Sequence, residues 1–389
     1  MNLSYILNEL GEERDQYFNA IAPPVIQTSN FKFNTVADFR GALADEYQGN
    51  LYSRGFNPTI DILRKKLAAL DGAEDALVFS SGIAAITVPI LALLQSGDEV
   101  VCVENPYSWT IRLFKNFLPK FGIKTTFIDG TDLKELEAAI SDSTKLIYLE
   151  SPNTFSFDVQ DLAAVAKIAN ARGILTMIDN SYCSPLYQQP IAYGIDLVAQ
   201  SATKYLAGHS DVVAGVVTGK KEVLEKIFNN EYLNIGAALA PQNAWLILRG
   251  LRTLAIRLDK ISETADQVIE YLNQHPKIER VLHPFHADNK DLALARKQMK
   301  KCGGLFSIVL KNSSLEKIET FCNSLQHILM AVSWGGYESL VMPACAGLSK
   351  AEFDPNNKRH VLIRVYVGLE DADYIIADLD QALASIPVF

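Results

Sequence analysis

Three short segments, each following an apolar run, hold residue types that can do chemistry. In Phe79-Ser80-Ser81-Gly82-Ile83-Ala84-Ala85, small hydroxyl residues and a glycine stand where an apolar run gives way to a helical pattern. Backbone N–H groups at a helix start lack intrahelical acceptors and make a ready anion site. The same spelling also serves as a plain serine cap. In Ile178-Asp179-Asn180 a carboxylate closes an apolar run. That is a charge at a pocket floor, or equally a helix cap or an ion-pair partner. In Ser201-Ala202-Thr203-Lys204-Tyr205-Leu206-Ala207-Gly208-His209-Ser210-Asp211 one lysine sits among hydroxyls just past a buried run. Desolvation or a nearby cation can leave such a lysine as a nucleophilic amine. An isolated lysine is more commonly a solvated side chain.

Together the three segments narrow the choice. An anion cradle, a carboxylate and an amine at the ends of different strands fit pyridoxal phosphate. Its phosphate needs a helix start, its ring nitrogen a carboxylate and its aldehyde an amine. Dinucleotide and P-loop sites lack support, because no G-x-G-x-x-G follows a strand and no G-x-x-x-x-G-K-[ST] occurs.

These groups need a sheet to hold them. Apolar runs at 76–79, 99–103, 125–128, 145–149, 174–178, 197–200 and 212–217 read as buried strands. Helical patterns at 83–94, 107–121, 133–140 and 161–171 alternate with them. Such alternation predicts a mostly parallel sheet covered on both faces, with ligands at the carboxyl ends of its strands. One long helix is expected over 240–274. Beyond it, strands at 280–283, 305–310 and 362–367 and helices at 315–325 and 372–384 form a smaller α+β unit. The first residues, with Pro23-Pro24 and little periodicity, read as an arm. The expected divisions are an arm over 1–55, a cofactor-binding domain over 56–245 and a C-terminal domain over 246–389.

Composition excludes several classes. The 389 residues are 49% apolar and 21% charged, which argues against global disorder. The longest largely apolar stretch, 83–94, carries Thr87 and Pro89 and falls short of the roughly 20 residues of a membrane span. With 36 basic and 45 acidic residues the net charge is −9 and no basic stripe is present, so nucleic acid is not an expected partner. Arg64-Lys65-Lys66 is the densest basic run and reads as a solvated helix face. Five scattered cysteines without C-x-x-C argue against a disulfide framework or a zinc site, and His283 and His286 read as a solvated loop pair, so no metal is expected. The acidic N-terminus lacks a signal-peptide pattern, which predicts a cytoplasmic protein.

The segment around Lys204 resembles the signature of the Cys/Met-metabolism (transsulfuration) branch of fold-type I pyridoxal-phosphate enzymes. The resemblance extends through Pro23-Pro24-Val25-Ile26-Gln27-Thr28-Ser29, Tyr52-Ser53-Arg54-Gly55-Phe56-Asn57-Pro58-Thr59, Gly250-Leu251-Arg252-Thr253-Leu254 and Gly368-Leu369-Glu370-Asp371. It implies an α/β fold of the aspartate aminotransferase-like, PLP-dependent transferase type. Ser333-Trp334-Gly335-Gly336-Tyr337-Glu338-Ser339-Leu340 is most similar to bacterial cystathionine β-lyases.

The resemblance also implies roles. Lys204 would join the cofactor's aldehyde, Asp179 would pair with the ring nitrogen and Tyr107 would stack on the ring. By this resemblance Lys204 and Tyr107 would be the catalytic pair. Gly82 and Ile83 would offer backbone N–H groups to the phosphate, and Ser201 and Thr203 their hydroxyls. Tyr52 and Arg54 would reach the phosphate of a neighbouring subunit's cofactor. A dimer would then be the smallest active unit, and the resemblance implies a homotetramer built from dimers that share active sites. Arg364 would hold the α-carboxylate of a small amino-acid substrate, with Ser333 and Trp334 lining the same pocket.

The chain departs from this pattern twice. Val332 stands where the similar β-lyases carry Tyr and γ-synthases Glu, while methionine γ-lyase-like members are apolar there. Asn153-Thr154-Phe155 replaces the Thr-Asn-Pro common in γ-acting members. The implied activity is β-elimination: Lys204 removes the Cα proton, a thiolate leaves Cβ, and pyruvate and ammonia follow. The alternatives are γ-acting chemistry (cystathionine γ-synthase, cystathionine γ-lyase or methionine γ-lyase), a thiol-adding sulfhydrylase, and a non-catalytic binding protein on the same fold.

Overall fold

The computed structural model describes residues 1–386. Among them no helix is long and apolar enough to cross a membrane. The chain forms two compact units. The first comprises Met1–Ser151, Gln160–Ala207 and Asp211–Thr253. The second comprises Pro152–Val159, Gly208–Ser210 and the residues from Leu254 onward.

The first unit is built on seven strands: β1 (Asp75–Phe79), β2 (Glu99–Val103), β3 (Lys124–Ile128), β4 (Thr144–Glu150), β5 (Leu175–Asp179), β6 (Leu197–Gln200) and β7 (Gly215–Gly219). They lie in the order β1-β7-β6-β5-β4-β2-β3. Only β7 runs antiparallel to its neighbours. Side chains alternate across a strand, so an apolar run feeds both faces. Val100 and Cys102 of β2 join Leu146, Tyr148 and Met177 in one core, together with Ile86, Ile90 and Phe228. Val101 and Val103 join Ile147, Leu149 and Ile178 in the other, under Leu162, Val165 and Ala169 of the helix Leu162–Ala171.

The second unit adds β8 (Ile278–Leu282), β9 (Leu305–Leu310), β10 (Leu329–Met330), β11 (Leu340–Pro343) and β12 (Ile363–Tyr366). Their order is β10-β11-β12-β9-β8. Ile363 and Val365 of β12 pack with Phe306 and Ile308 against Val268, Phe321 and Leu379. Alternation turns Arg364 to the opposite face.

Several expectations need correction. The helix expected over 240–274 is two, Pro241–Leu251 and Leu254–Gln274. Gly250 explains the close packing at the break, since a Cβ there would run into the carbonyl oxygen of Ala207. The helix expected over 107–121 is an α-helical turn, Ser108–Arg112, a π-helical turn, Leu113–Phe117, and a 3₁₀ turn containing Pro119. Proline removes an N–H and ends regular helix. The short strands β10 and β11 have too few residues to show a period.

Of the Arg64-Lys65-Lys66 run only Lys65 is exposed as a solvated face requires. Arg64 is buried, donates to Asp75 and to the Ala76 carbonyl, and lies 3.7 Å over the Phe56 ring. Lys66 is buried too and pairs at 3.1 Å with Glu12, which also meets Arg14 and Arg252. Lys66 further donates to the carbonyls of Ile6 and Leu7, tying the N-terminal helix Leu3–Asn8 to the helix Pro58–Asp71. His283 is likewise buried, and burial lowers its pKa to about 3, so it is a neutral interior imidazole.

Candidate active site

The chemistry-bearing residues of the first unit collect at the carboxyl ends of its strands. After β1 the chain turns at Ser80-Ser81 into the helix Gly82–Leu93, and the Ser81 hydroxyl accepts from Ala84 N–H. The cap reading of this serine is therefore correct, and the anion reading passes to the N–H groups that follow it. A Cβ added to Gly82 would lie 3.0 Å from the Ser201 hydroxyl. The lack of a side chain thus lets the helix start and the turn after β6 form one cradle.

Asp179 ends β5 in register with Ala199 of β6 and Glu150 of β4. Its Oδ1 accepts from Ser181 N–H at 2.9 Å. The Ser181 hydroxyl accepts in turn from Ser201 N–H at 2.7 Å, linking the acid to the lysine-bearing turn. Burial pushes the Asp179 carboxyl above its usual range. Hydrogen bonds from Ser181 and the nearby Lys204 charge pull it back down. A half-buried, desolvated carboxylate of this kind gains from a cationic partner.

Lys204 lies half-buried in a tight turn, with its N–H donating to Ser201 O at 3.1 Å. Thr203 forms a reciprocal pair with Ala214. Its hydroxyl accepts from Ala214 N–H at 3.0 Å and donates to Ala214 O at 3.1 Å. In this arrangement the one hydroxyl proton serves the turn itself. Tyr107 precedes the short helix Ser108–Arg112, and its ring is exposed.

Sequence reasoning overlooked three residues that hold this site. Glu150 ends β4, is buried, and accepts from Tyr107 N–H at 2.7 Å. Its place at a strand end, like that of Asp179, was the available signal. Ser181, two residues past Asp179, bridges two strand ends. Asp71 is buried and accepts from Gln200 Nε2 at 3.1 and 2.8 Å and from the Thr218 hydroxyl at 2.8 Å. It anchors the strand that leads into Lys204. Burial raises Asp71 from 3.8 to about 7, against the pull of those hydrogen bonds.

Tyr52 and Arg54 form a separate exposed pair, with the guanidinium 5.5 Å from the ring centre. Cys183, close after Asp179, is buried. Among the described residues no group of His, Cys, Asp and Glu is placed to hold a metal ion.

The second unit carries its own cluster. Arg364 of β12 is only 7% exposed. Its Nη2 donates to Val332 O at 2.8 Å and Ser333 O at 3.4 Å, and its guanidinium lies 5.2 Å from the Phe155 ring centre. Ser333 and Trp334 are half-buried, while Val332 is 79% exposed. Glu370 accepts from the N–H and the hydroxyl of Ser339, and the same hydroxyl accepts from Gly368 N–H. The Gly368-Leu369-Glu370 motif thus braces the loop that bears Ser333 and Trp334.

The first unit fits pyridoxal phosphate on these observations. A glycine-opened cradle combines a helix start with a serine hydroxyl, and a half-buried acid, raised by desolvation, stands within the field of a lysine. A model of the Cys/Met metabolism PLP-dependent enzyme family matches residues 6–384. L-methionine gamma-lyase of Pseudomonas putida is 38% identical over 379 residues, covering 96% of this chain and 95% of that protein. Cystathionine gamma-lyase of Macaca fascicularis is also 38% identical over 379 residues, covering 96% and 91%. The solved structure of cystathionine gamma-lyase from Lactobacillus plantarum, complexed with L-serine, superposes with a TM-score of 0.90 at 34% identity, covering 99% of each chain. Fold, cradle and likeness agree, and the chain belongs to the Cys/Met metabolism PLP-dependent enzymes, with their fold-type I architecture.

Proposed function

We propose that this PLP-dependent carbon–sulfur lyase acts by γ-elimination on a sulfur amino acid of the methionine or cystathionine type. The observation that carries the reading is the near full-length likeness to two γ-lyases. The apolar, exposed Val332 agrees with it. The β-elimination expected from the Trp334 segment remains the second reading, supported by that segment and by Asn153-Thr154-Phe155.

In this reading Lys204 holds the cofactor's aldehyde, Asp179 its ring nitrogen and Tyr107 its ring face. Gly82, Ile83 and Ser201 hold its phosphate, with Tyr52 and Arg54 of a second copy; Thr203 joins them only if its hydroxyl turns away from the Ala214 carbonyl. Bound pyridoxal phosphate supplies an electron sink for charge left on the substrate carbons. Arg364 orients the substrate by its α-carboxylate in a two-pronged contact. The Lys204 amine, released as substrate binds, takes the proton from Cα. A γ-acting enzyme must also move a proton from Cβ before the γ-sulfur departs, and Lys204 can take that second proton only after it has handed the first one on and become a neutral amine again. Tyr107 returns a proton to the departing sulfur. A positioned acid or base of this kind is worth about 10²–10⁴-fold.

The test is product analysis on cystathionine, cysteine, methionine and O-acylated homoserines. Formation of 2-oxobutyrate from methionine or cystathionine supports γ-elimination. Pyruvate as the sole keto acid from cystathionine would replace it with the β-reading. Product formed only when sulfide is supplied would indicate a sulfhydrylase.

A further inference from the structure

The segment Pro152–Val159 leaves β4 but packs as part of the second unit. It is a tight loop closed on itself. Asn153 N–H donates to Asp158 O at 3.0 Å, Phe157 N–H to Asn153 O at 3.1 Å and Ser156 N–H to Thr154 O at 2.9 Å. Phe155 and Phe157 both have left-handed backbones, with φ of 67° and 57°. Bulky residues seldom adopt that conformation, and it persists only where the surroundings fix it. Here Phe155 is seated among Val309, Val361 and Leu362, on the face of the sheet to which Arg364 points. Its ring meets the guanidinium at 5.2 Å. The Val332 and Ser333 carbonyls hold the guanidinium edge, and the ring holds its face. A cation removed from water gains more from an aromatic face than an exposed one does.

We infer that Phe155 is a positioning residue for substrate recognition, fixing the plane of the Arg364 guanidinium so that it selects a free α-carboxylate. The inference rests on Arg364 being the carboxylate receptor. It also gives a physical role to a segment in which the chain departs from the Thr-Asn-Pro pattern. The seat alone explains an apolar residue at 155. The ring over the cation requires an aromatic one.

The experiment compares glycine, which has no side chain to eliminate, with glycinamide. Binding of each to the holoenzyme is read from the shift in cofactor absorbance. The ratio of the two dissociation constants reports carboxylate selection, and the difference in amine basicity between the ligands cancels when proteins are compared. Phe155→Leu should reduce the preference for glycine about 3- to 30-fold, the span expected of a cation–aromatic contact, and Phe155→Tyr should keep it. Phe155→Met, unbranched and flexible, serves in the same way if the leucine variant does not fold. An unchanged ratio in Phe155→Leu or Phe155→Met, with the preference lost in Arg364→Ala, would overturn the role of Phe155 alone. A wild-type preference unaffected by Arg364→Ala would overturn the carboxylate-receptor reading beneath it.

Discussion

Single residues at this site do work that their neighbours define. Lys204 is set in a turn fixed by Ser201, Thr203 and Ala214. Lys204→Ala should remove the visible absorbance of bound cofactor and nearly all turnover; retained lyase activity would refute the assignment. Asp179 is a half-buried acid raised by desolvation. Asp179→Ala should weaken cofactor retention about 10- to 100-fold, the worth of a charged hydrogen bond, as measured by cofactor release on dialysis. Lys204 and Asp179 were legible because a lysine or acid closing an apolar run contradicts the run's own pattern. Glu150 closes an apolar run in the same way and its place was equally legible, but its partner Tyr107 was not; Asp71 ends a helical pattern and meets Gln200 only in the fold.

At the scale of elements, periodicity located most strands of the first unit but not the breaks in its helices. Pro119 was visible in the sequence. The interruption after Leu251 comes where Gly250 packs on Ala207, a contact between residues distant in sequence that no local pattern carries. Charge misled where partners were hidden, as in the Arg64-Lys65-Lys66 run. Glu12→Ala should strand Lys66 without its counter-ion and destabilise the protein by about 3–5 kcal/mol, read as a lower urea midpoint. Asp71 adds a pH signature. Its pKa is about 7 in the fold against 3.8 for the free group, so between those values the folded chain holds a proton that the unfolded chain lacks. The stabilisation this brings is complete below about pH 4 and is lost as pH rises through 7. Asp71→Asn should flatten the fall in urea midpoint across that window, and an unaltered slope would show that Asp71 does not titrate there.

At the scale of the whole molecule, the resemblance makes Tyr52 and Arg54 servants of another copy's site, and their exposure in a single chain is consistent with that. Lys204→Ala and Arg54→Ala would then damage the same active site from different subunits. Mixing the two inactive proteins, with refolding to exchange subunits, should restore roughly a quarter of wild-type turnover, because a mixed dimer holds one site with both residues intact. No recovery would mean that each chain completes its own site. The second unit carries a different lesson. Its sheet is encoded after Leu254, yet Phe155, which faces Arg364, is encoded about 100 residues earlier, between two elements of the first unit. A recombinant that joined two relatives near residue 253 would inherit the arginine from one parent and its aromatic support from the other. If Arg364 receives the substrate carboxylate as proposed, substrate preference would not be inherited with the C-terminal half alone, and an exchange of specificity by shuffling would have to move the Pro152–Val159 loop with it.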